Sequence, residues 1–90
     1  PMTYYAFRLY IAGQTPRSQR ALINLRHVCD KYQCKYELTI VDILENPEEA
    51  AKAKVLAIPT LDKEEPLPPR RLIGDLHDIE AVARELNLKQ

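Results

Sequence analysis

The stretch Val55-Leu56-Ala57-Ile58-Pro59-Thr60-Leu61 decides the fold of this chain. Its apolar run predicts a buried third strand at Leu56–Leu61. Pro59 interrupts that run, and because proline has no N–H for a sheet ladder, it belongs at a strand start, an edge or a bulge. A proline at the entry to a strand also suits a cis X-Pro bond.

Length and composition bound the class of protein. The chain has 90 residues, which predicts a single domain over residues 1–90, and 46% of them are hydrophobic. Its 13 basic and 13 acidic residues give a net charge of zero, which argues against a nucleic-acid partner held through its phosphates. No apolar run approaches the roughly 20 residues of a membrane span, no signal peptide opens the chain, and two cysteines make no disulfide framework. We therefore expect a cytoplasmic protein without a membrane partner.

Hydrophobic periodicity and capping signals predict seven elements in the order βαβαββα. The strands are predicted at Tyr4–Ile11, Tyr36–Ile43, Leu56–Leu61 and Arg70–Ile73. The helices are predicted from Pro16 to about Tyr32, from Pro47 to Lys54 at most, and after Asp75, with caps at Thr15, Asn46 and Asp75. The acidic, proline-rich segment Asp62–Pro69 is predicted as the loop between the last two strands. Strands joined by a helix run parallel and the last two pair as a hairpin, so the fold class is α/β, thioredoxin-like.

No group of residues predicts a catalytic, metal or cofactor site. Redox-active thioredoxin-like proteins open the first helix with C-x-x-C, whereas this position reads Thr15-Pro16-Arg17-Ser18. Cys29 lies on the apolar face of the first helix and is expected to be buried. Cys34 follows that helix, where an incidental surface thiol is favoured over a redox switch because no resolving thiol is expected beside it. The two histidines lack a Cys/His/Asp cluster at ligand spacing, and the two glycines make no phosphate-binding loop.

Basic side chains supply a candidate partner-binding surface. The adjacent residues Arg70 and Arg71 lie on one predicted strand and therefore point to opposite faces. Arg20 follows the Thr15 cap by about one turn and is expected to be exposed, and the proline-rich loop before Arg70 is stiff, which lowers the entropy cost of docking. Ordinary solvated charge is the alternative interpretation of each lysine. The candidate residues are Arg20, Lys54, Lys63, Arg70 and Arg71.

Four motifs in order resemble the KaiB family of circadian clock proteins. They are Arg8-Leu9-Tyr10-Ile11-Ala12-Gly13-Gln14-Thr15-Pro16, Val41-Asp42-Ile43-Leu44-Glu45-Asn46-Pro47, Leu56-Ala57-Ile58-Pro59-Thr60-Leu61 and Pro69-Arg70-Arg71-Leu72-Ile73-Gly74-Asp75-Leu76. Each motif alone is weak, but four of them in order and at family-like spacing are specific. The similarity extends from about Phe7 to Leu88.

The resemblance implies a non-enzymatic regulator that docks on the N-terminal ATPase ring of a KaiC-like kinase. It also implies clock-associated sensor kinases as further partners, and a ground-state fold with a rearranged C-terminal half that forms dimers and tetramers. In the thioredoxin-like state it implies a cis Ile58–Pro59 bond. Glu85 stands where a glycine is common in the family, and this better helix former favours the thioredoxin-like state. The implied conformational switch residues are Pro59, Pro66, Pro68 and Pro69.

Three other functions stay open at this point. One is a thioredoxin-like thiol oxidoreductase that uses Cys34. A second is a KaiB homologue outside the core oscillator, such as a stress-response adaptor. The third is the sensor domain of a kinase.

Overall fold

The computed structural model describes residues 3–88, and its elements follow the predicted βαβαββα order. The strands are β1 (Tyr4–Ile11), β2 (Lys35–Asp42), β3 (Thr60–Glu65) and β4 (Arg70–Ile73). The helices are α1 (Pro16–Lys31), α2 (Pro47–Lys52) and α3 (Ile79–Glu85). One sheet has the strand order β2-β1-β3-β4, in which β1 and β2 are parallel and β3 is antiparallel to both of its neighbours. The fold is therefore thioredoxin-like, as predicted.

The hydrophobic core lies between one face of the sheet and the helices α1 and α3. Alternate residues of β1 point into it, and the rings of Tyr5 and Phe7 stack there with their centroids 5.9 Å apart. The central strand β1 is flanked on both sides, which is why its inward residues are almost fully buried. The buried core residues of the other elements are Ala21, Leu25, Val28, Cys29, Leu61, Leu76, Val82, Ala83 and Leu86.

The opposite face of the sheet carries ion pairs and faces the short helix α2. Arg8 of β1 donates to Glu64 of β3 at 3.2 Å and lies 4.0 Å from Glu49 of α2. Further along β3, Asp62 pairs with Arg71 of β4. Because side chains alternate along each strand, these charges lie on the face away from the main core.

The third strand was predicted too early in the chain. It begins at Thr60 rather than Leu56 and ends at Glu65 rather than Leu61. Val55 closes the end of α2 instead, since its amide donates to the carbonyl of Ala50 at 3.0 Å, and residues 56–59 form a loop. The acidic segment was predicted as a loop, but its first half belongs to β3, because its carboxylates alternate onto the face where arginines receive them.

Two of the three predicted helix caps, Thr15 and Asn46, occupy the N-cap position, and the third is wrong. Thr15 caps α1 as predicted, by accepting from the amide of Ser18 at 3.3 Å. Asn46 precedes α2 but its side chain makes no capping hydrogen bond. The last helix is capped by Asp78, which accepts from the Ala81 amide at 3.1 Å, so the predicted cap at Asp75 is wrong.

The chain contains the predicted cis Ile58–Pro59 bond. The Glu65–Pro66 and Leu67–Pro68 bonds in the hairpin turn are also cis. Within residues 3–88, no helix has both the length and the apolar character needed to cross a membrane.

Candidate partner-docking surface

Arg71 is the most highly connected side chain on the α2 side of the sheet. Its guanidinium donates to both carboxylate oxygens of Asp62, at 2.6 Å from Nε and 2.8 Å from Nη2. Two further bonds reach the backbone carbonyls of Lys54, at 3.1 Å, and Ala53, at 2.8 Å. The hydrogen bonds to Asp62 raise the pKa of Arg71 above its ordinary value.

Those two bonds satisfy backbone carbonyls at the end of α2. The last carbonyls of a helix lack partners within the helix, and a cation beside them also interacts favourably with the helix dipole. Here Lys54 adopts a positive φ of 55° just past the helix, in the conformation that closes many helices. Arg71 therefore supplies from β4 the donors that the end of α2 lacks.

The segment that follows, residues 54–59, is fixed along its length, and we call it the Leu56 loop. Arg71 holds its first residue, and the hydroxyl of Thr60 donates to the carbonyl of Ala57 at 2.6 Å. At its other end, the amide of Gly74 donates to the carbonyl of Pro59 at 3.0 Å. Leu56, midway between these anchors, is 94% exposed. The fold thus presents a bare leucine on an anchored loop.

The predicted basic residues differ in where they lie and in how far they are engaged. Lys54 is part of the loop and exposed, and within residues 3–88 its ammonium group has no ion-pair partner. Arg70 is exposed and also lacks a side-chain partner among the described residues. The register of β3 and β4 places Arg70 opposite Lys63 and Arg71 opposite Asp62, so the two arginines face opposite sides as predicted.

Arg20 is exposed on α1, as predicted, but it is partly engaged. Its Nε lies 3.4 Å from a carboxylate oxygen of Asp75, whose other oxygen accepts from the ring and the amide of His77. The His77 hydrogen bond, helped by the one from Arg20, lowers the pKa of Asp75. Asn24 donates to the Asp75 backbone carbonyl at 2.8 Å. Asp75 therefore joins α1 to the segment before α3 rather than capping α3.

The expectation that Lys63 lies on the surface is wrong. Lys63 is only 1% exposed, and its register opposite Phe7 places it on the core side of β3. The misplaced third strand caused this error, since Lys63 was predicted in a surface loop. A buried side chain cannot contact a partner in this state of the chain.

The residues at the start of α1 and the two cysteines near its end bear on the alternative of thiol–disulfide chemistry. The hydroxyls of Thr15 and Ser18 hydrogen bond at 2.9 Å where dithiol enzymes of this fold carry cysteines. Cys29 is buried, as expected. Cys34 was expected to be exposed, but it is half-buried against the core. Burial raises the pKa of both thiols. Among residues 3–88 there is no cluster of three or more His, Cys, Asp or Glu residues that could hold a metal ion.

Sequence reasoning missed Leu56 and Asp62 as members of this surface. Leu56 was predicted in a buried strand. Only recognition that α2 ends with a positive-φ residue at Lys54 would have placed Leu56 in an exposed loop instead. Asp62 was read as a loop residue, although a carboxylate and an arginine on paired strands are a recognisable cross-strand pair.

Solved structures of similar shape define the class of fold. The N-terminal domain of SasA from Synechococcus elongatus matches with a TM-score of 0.76 at 17% identity, over 100% of this chain and 90% of that one. Mitochondrial thioredoxin 3 from Saccharomyces cerevisiae matches with a TM-score of 0.71 at 17% identity, over 92% of this chain and 76% of that one. Both similarities identify the thioredoxin-like fold and nothing more specific.

Sequence relatives define the family. The circadian clock oscillator protein KaiB of Synechococcus elongatus is 47% identical over 89 residues, which cover 98% of this chain and 87% of that protein. The protein of the same name from Acaryochloris marina is 47% identical over 85 residues, covering 93% and 82%. The family model described as the KaiB domain matches residues 8–88. The chain belongs to the KaiB family, as its four motifs predicted.

Proposed function

We propose that this chain is a non-enzymatic regulator in a circadian clock or in signalling derived from one, and that it docks on the N-terminal ATPase ring of a KaiC-like partner. The observation that carries the proposal is the 47% identity, over 98% of the chain, to proteins named for the circadian clock oscillator. Clock-associated sensor kinases are further partners in this proposal, as is self-association to a dimer or tetramer. The prolines 59, 66, 68 and 69 are its conformational switch residues.

The docking surface that we propose combines the Leu56 loop with exposed cations. An anchored loop loses little conformational entropy on binding, so an exposed leucine there contributes most of its burial energy to affinity. Burying a leucine side chain fully contributes about 1.5–3 kcal/mol. The charges of Lys54 and Arg70, which have no partner among residues 3–88, suit a partner with an acidic rim, and a rim charge of this kind mainly affects the association rate. Arg20 lies on α1 outside the contact area, so its charge acts at longer range and mainly raises the association rate.

Arg71 has a different role in this proposal from the one that its sequence suggested. Four of its five N–H donors are used by Asp62 and by the carbonyls of Ala53 and Lys54. It therefore supports docking as a positioning residue that keeps the loop in place. Lys63, which is buried, supports the sheet rather than the partner contact.

The experiment is co-elution of the purified chain with a KaiC-like hexamer in the presence of ATP. We expect a complex whose dissociation constant rises about 10–100-fold for Leu56→Ser, since a tenfold change corresponds to about 1.4 kcal/mol. Ile23→Ser is the matched control, because Ile23 is a large apolar residue exposed on α1 away from the loop. Arg20→Glu with Arg70→Glu should weaken binding further and make it less dependent on salt.

The proposal has two separate ways to fail. Absence of any complex between the unmodified chain and the hexamer would refute the function. A complex that Leu56→Ser and Ile23→Ser weaken equally, or not at all, would refute the surface while leaving the function in place. Leu56 and Ile23 are both exposed, so we expect each variant to keep the melting temperature of the parent. Thermal unfolding of each variant then excludes loss of fold as the cause of weaker binding.

A further inference from the structure

Helix α1 ends in a backbone motif that brings the two cysteines of the chain together. Gln33, just beyond the helix, has a positive φ of 54°, and the amide of Cys34 donates to the carbonyl of Cys29 at 2.8 Å. In this type of helix ending, the residue after the left-handed one contacts the residue in the last turn that accepts its hydrogen bond. Cys29 and Cys34 occupy those two positions, and both contact the same hydrophobic core.

Burial raises the pKa of each thiol, but the two side chains differ in exposure. Cys34 is half-buried, whereas Cys29 is fully buried. Cys34 is therefore the thiol that a small oxidant can reach.

We propose that Cys29 and Cys34 form a peroxide-sensitive dithiol, in which hydrogen peroxide converts the two neighbouring thiols into an intramolecular disulfide. The proposal does not depend on partner docking, and it concerns the end of α1 farther from Arg20. It rests on the backbone motif that holds the two residues together and on the packing of both side chains against the same core. Disulfides require such close residues, because distant cysteines cannot be joined without backbone movement.

The reaction balances with peroxide as its only co-reactant. The Cys34 sulfur attacks one peroxide oxygen, so that an S–O bond forms and the O–O bond breaks, and the departing hydroxide takes up the Cys34 proton as water. The Cys29 sulfur then attacks the sulfenic sulfur of Cys34 and expels a second hydroxide, which takes up the Cys29 proton. Both sulfurs are oxidised, and one peroxide is reduced to two waters. Cys29 stays protonated until this second step, because its proton leaves with the hydroxide.

The test uses the chain treated with peroxide, denatured in an alkylating agent and digested with trypsin without reduction. Cleavage after Arg26, Lys31 and Lys35 separates Cys29 and Cys34 into two short peptides, residues 27–31 and 32–35. We expect these peptides to be joined in a single species that dithiothreitol separates. The intact monomer should lose the mass of two hydrogen atoms, and the rate should rise about tenfold per pH unit below the pKa of Cys34.

Two variants assign the separate steps. Cys29→Ser should leave a sulfenic acid at Cys34 that dimedone labels, because the resolving thiol is gone. Cys34→Ser should leave Cys29 reduced under the same treatment, because the buried thiol is not reached. The proposal is overturned by a Cys34-linked dimer as the main product, or by sulfinic or sulfonic acid at Cys34 with Cys29 still open to alkylation after unfolding. It is equally overturned if neither thiol reacts at peroxide concentrations that oxidise a free cysteine peptide.

Discussion

The anchor formed by Arg71 can be tested by removing its side chain with Arg71→Ala. This substitution breaks the two-pronged pair with Asp62 and leaves the carbonyls of Ala53 and Lys54 without their donors. The matched control is Arg70→Ala, which removes the same side chain from the adjacent position on the other face of β4, where it has no side-chain partner among the described residues.

The expected loss follows from these contacts. Arg71 and Asp62 are partly exposed, so after screening by solvent their pair contributes about 1 kcal/mol. Each carbonyl bond adds roughly 0.5 kcal/mol at such a site, at the lower end of the range for hydrogen bonds. Arg71→Ala should therefore destabilise the fold by about 2 kcal/mol, which lowers the melting temperature of a domain of this size by about 10 °C. Arg70→Ala should stay within about 0.5 kcal/mol of the parent.

Urea unfolding of Arg71→Ala, Asp62→Ala and the double variant measures the coupling directly. We expect a coupling free energy of about 1 kcal/mol between the two side chains, and Arg71→Lys should lose most of it because an ammonium cannot donate to both oxygens in the same geometry. Hydrogen exchange should also accelerate in the Leu56 loop of Arg71→Ala. Equal stability of Arg71→Ala and Arg70→Ala, with unchanged hydrogen exchange in the Leu56 loop, would refute the role of Arg71 in holding that loop.

Three further predictions concern the core, the pH dependence and catalysis. Lys63→Glu should lower the free energy of unfolding by about 3 kcal/mol, because it places the opposite charge at a buried position. The control Lys54→Glu should change the free energy of unfolding by less than about 0.5 kcal/mol. Comparable urea midpoints of the two variants would contradict this prediction. The hydrogen bonds from His77, together with that from Arg20, lower the pKa of Asp75 in the folded state. The stability that this carboxylate contributes is therefore present above its unfolded pKa of about 3.9 and is lost as the pH falls through its folded pKa. Asp75→Asn should therefore flatten the acid limb of the pH–stability curve, and a limb unchanged from the parent's would refute the assignment. The purified chain should neither hydrolyse ATP nor reduce a disulfide above the buffer rate, because hydroxyls occupy the dithiol position of α1; turnover that disappears with Cys34→Ser would contradict this.

The sequence was sufficient for the order of elements, the fold class and the family. Short-range signals account for this success: Thr15 and Pro16 at the start of α1, and the alternating residues of β1, act within one element. The β4 strand was also placed correctly, from Arg70 to Ile73.

The sequence failed where a neighbouring element decides the conformation. The apolar run before Thr60 looks like a strand, yet the end of α2 and the donors of Arg71 hold it as an exposed loop. The acidic run after Leu61 looks like a loop, yet Arg8 and Arg71 on adjacent strands receive its carboxylates. The same tertiary pairing buries Lys63 and so removed one residue from the predicted docking surface. Contact between Cys29 and Cys34 likewise depends on how α1 terminates.

Hydrogen exchange of the chain, alone and with a KaiC-like hexamer plus ATP, tests the central claim most directly. If the chain docks through the Leu56 loop, the amides of residues 54–58 should exchange at least several-fold more slowly in the complex. The exposed face of α1 around Ile23 should exchange at its free rate. Binding that protects α1 or the free edge of β2 and leaves residues 54–58 unchanged would contradict the proposed docking surface.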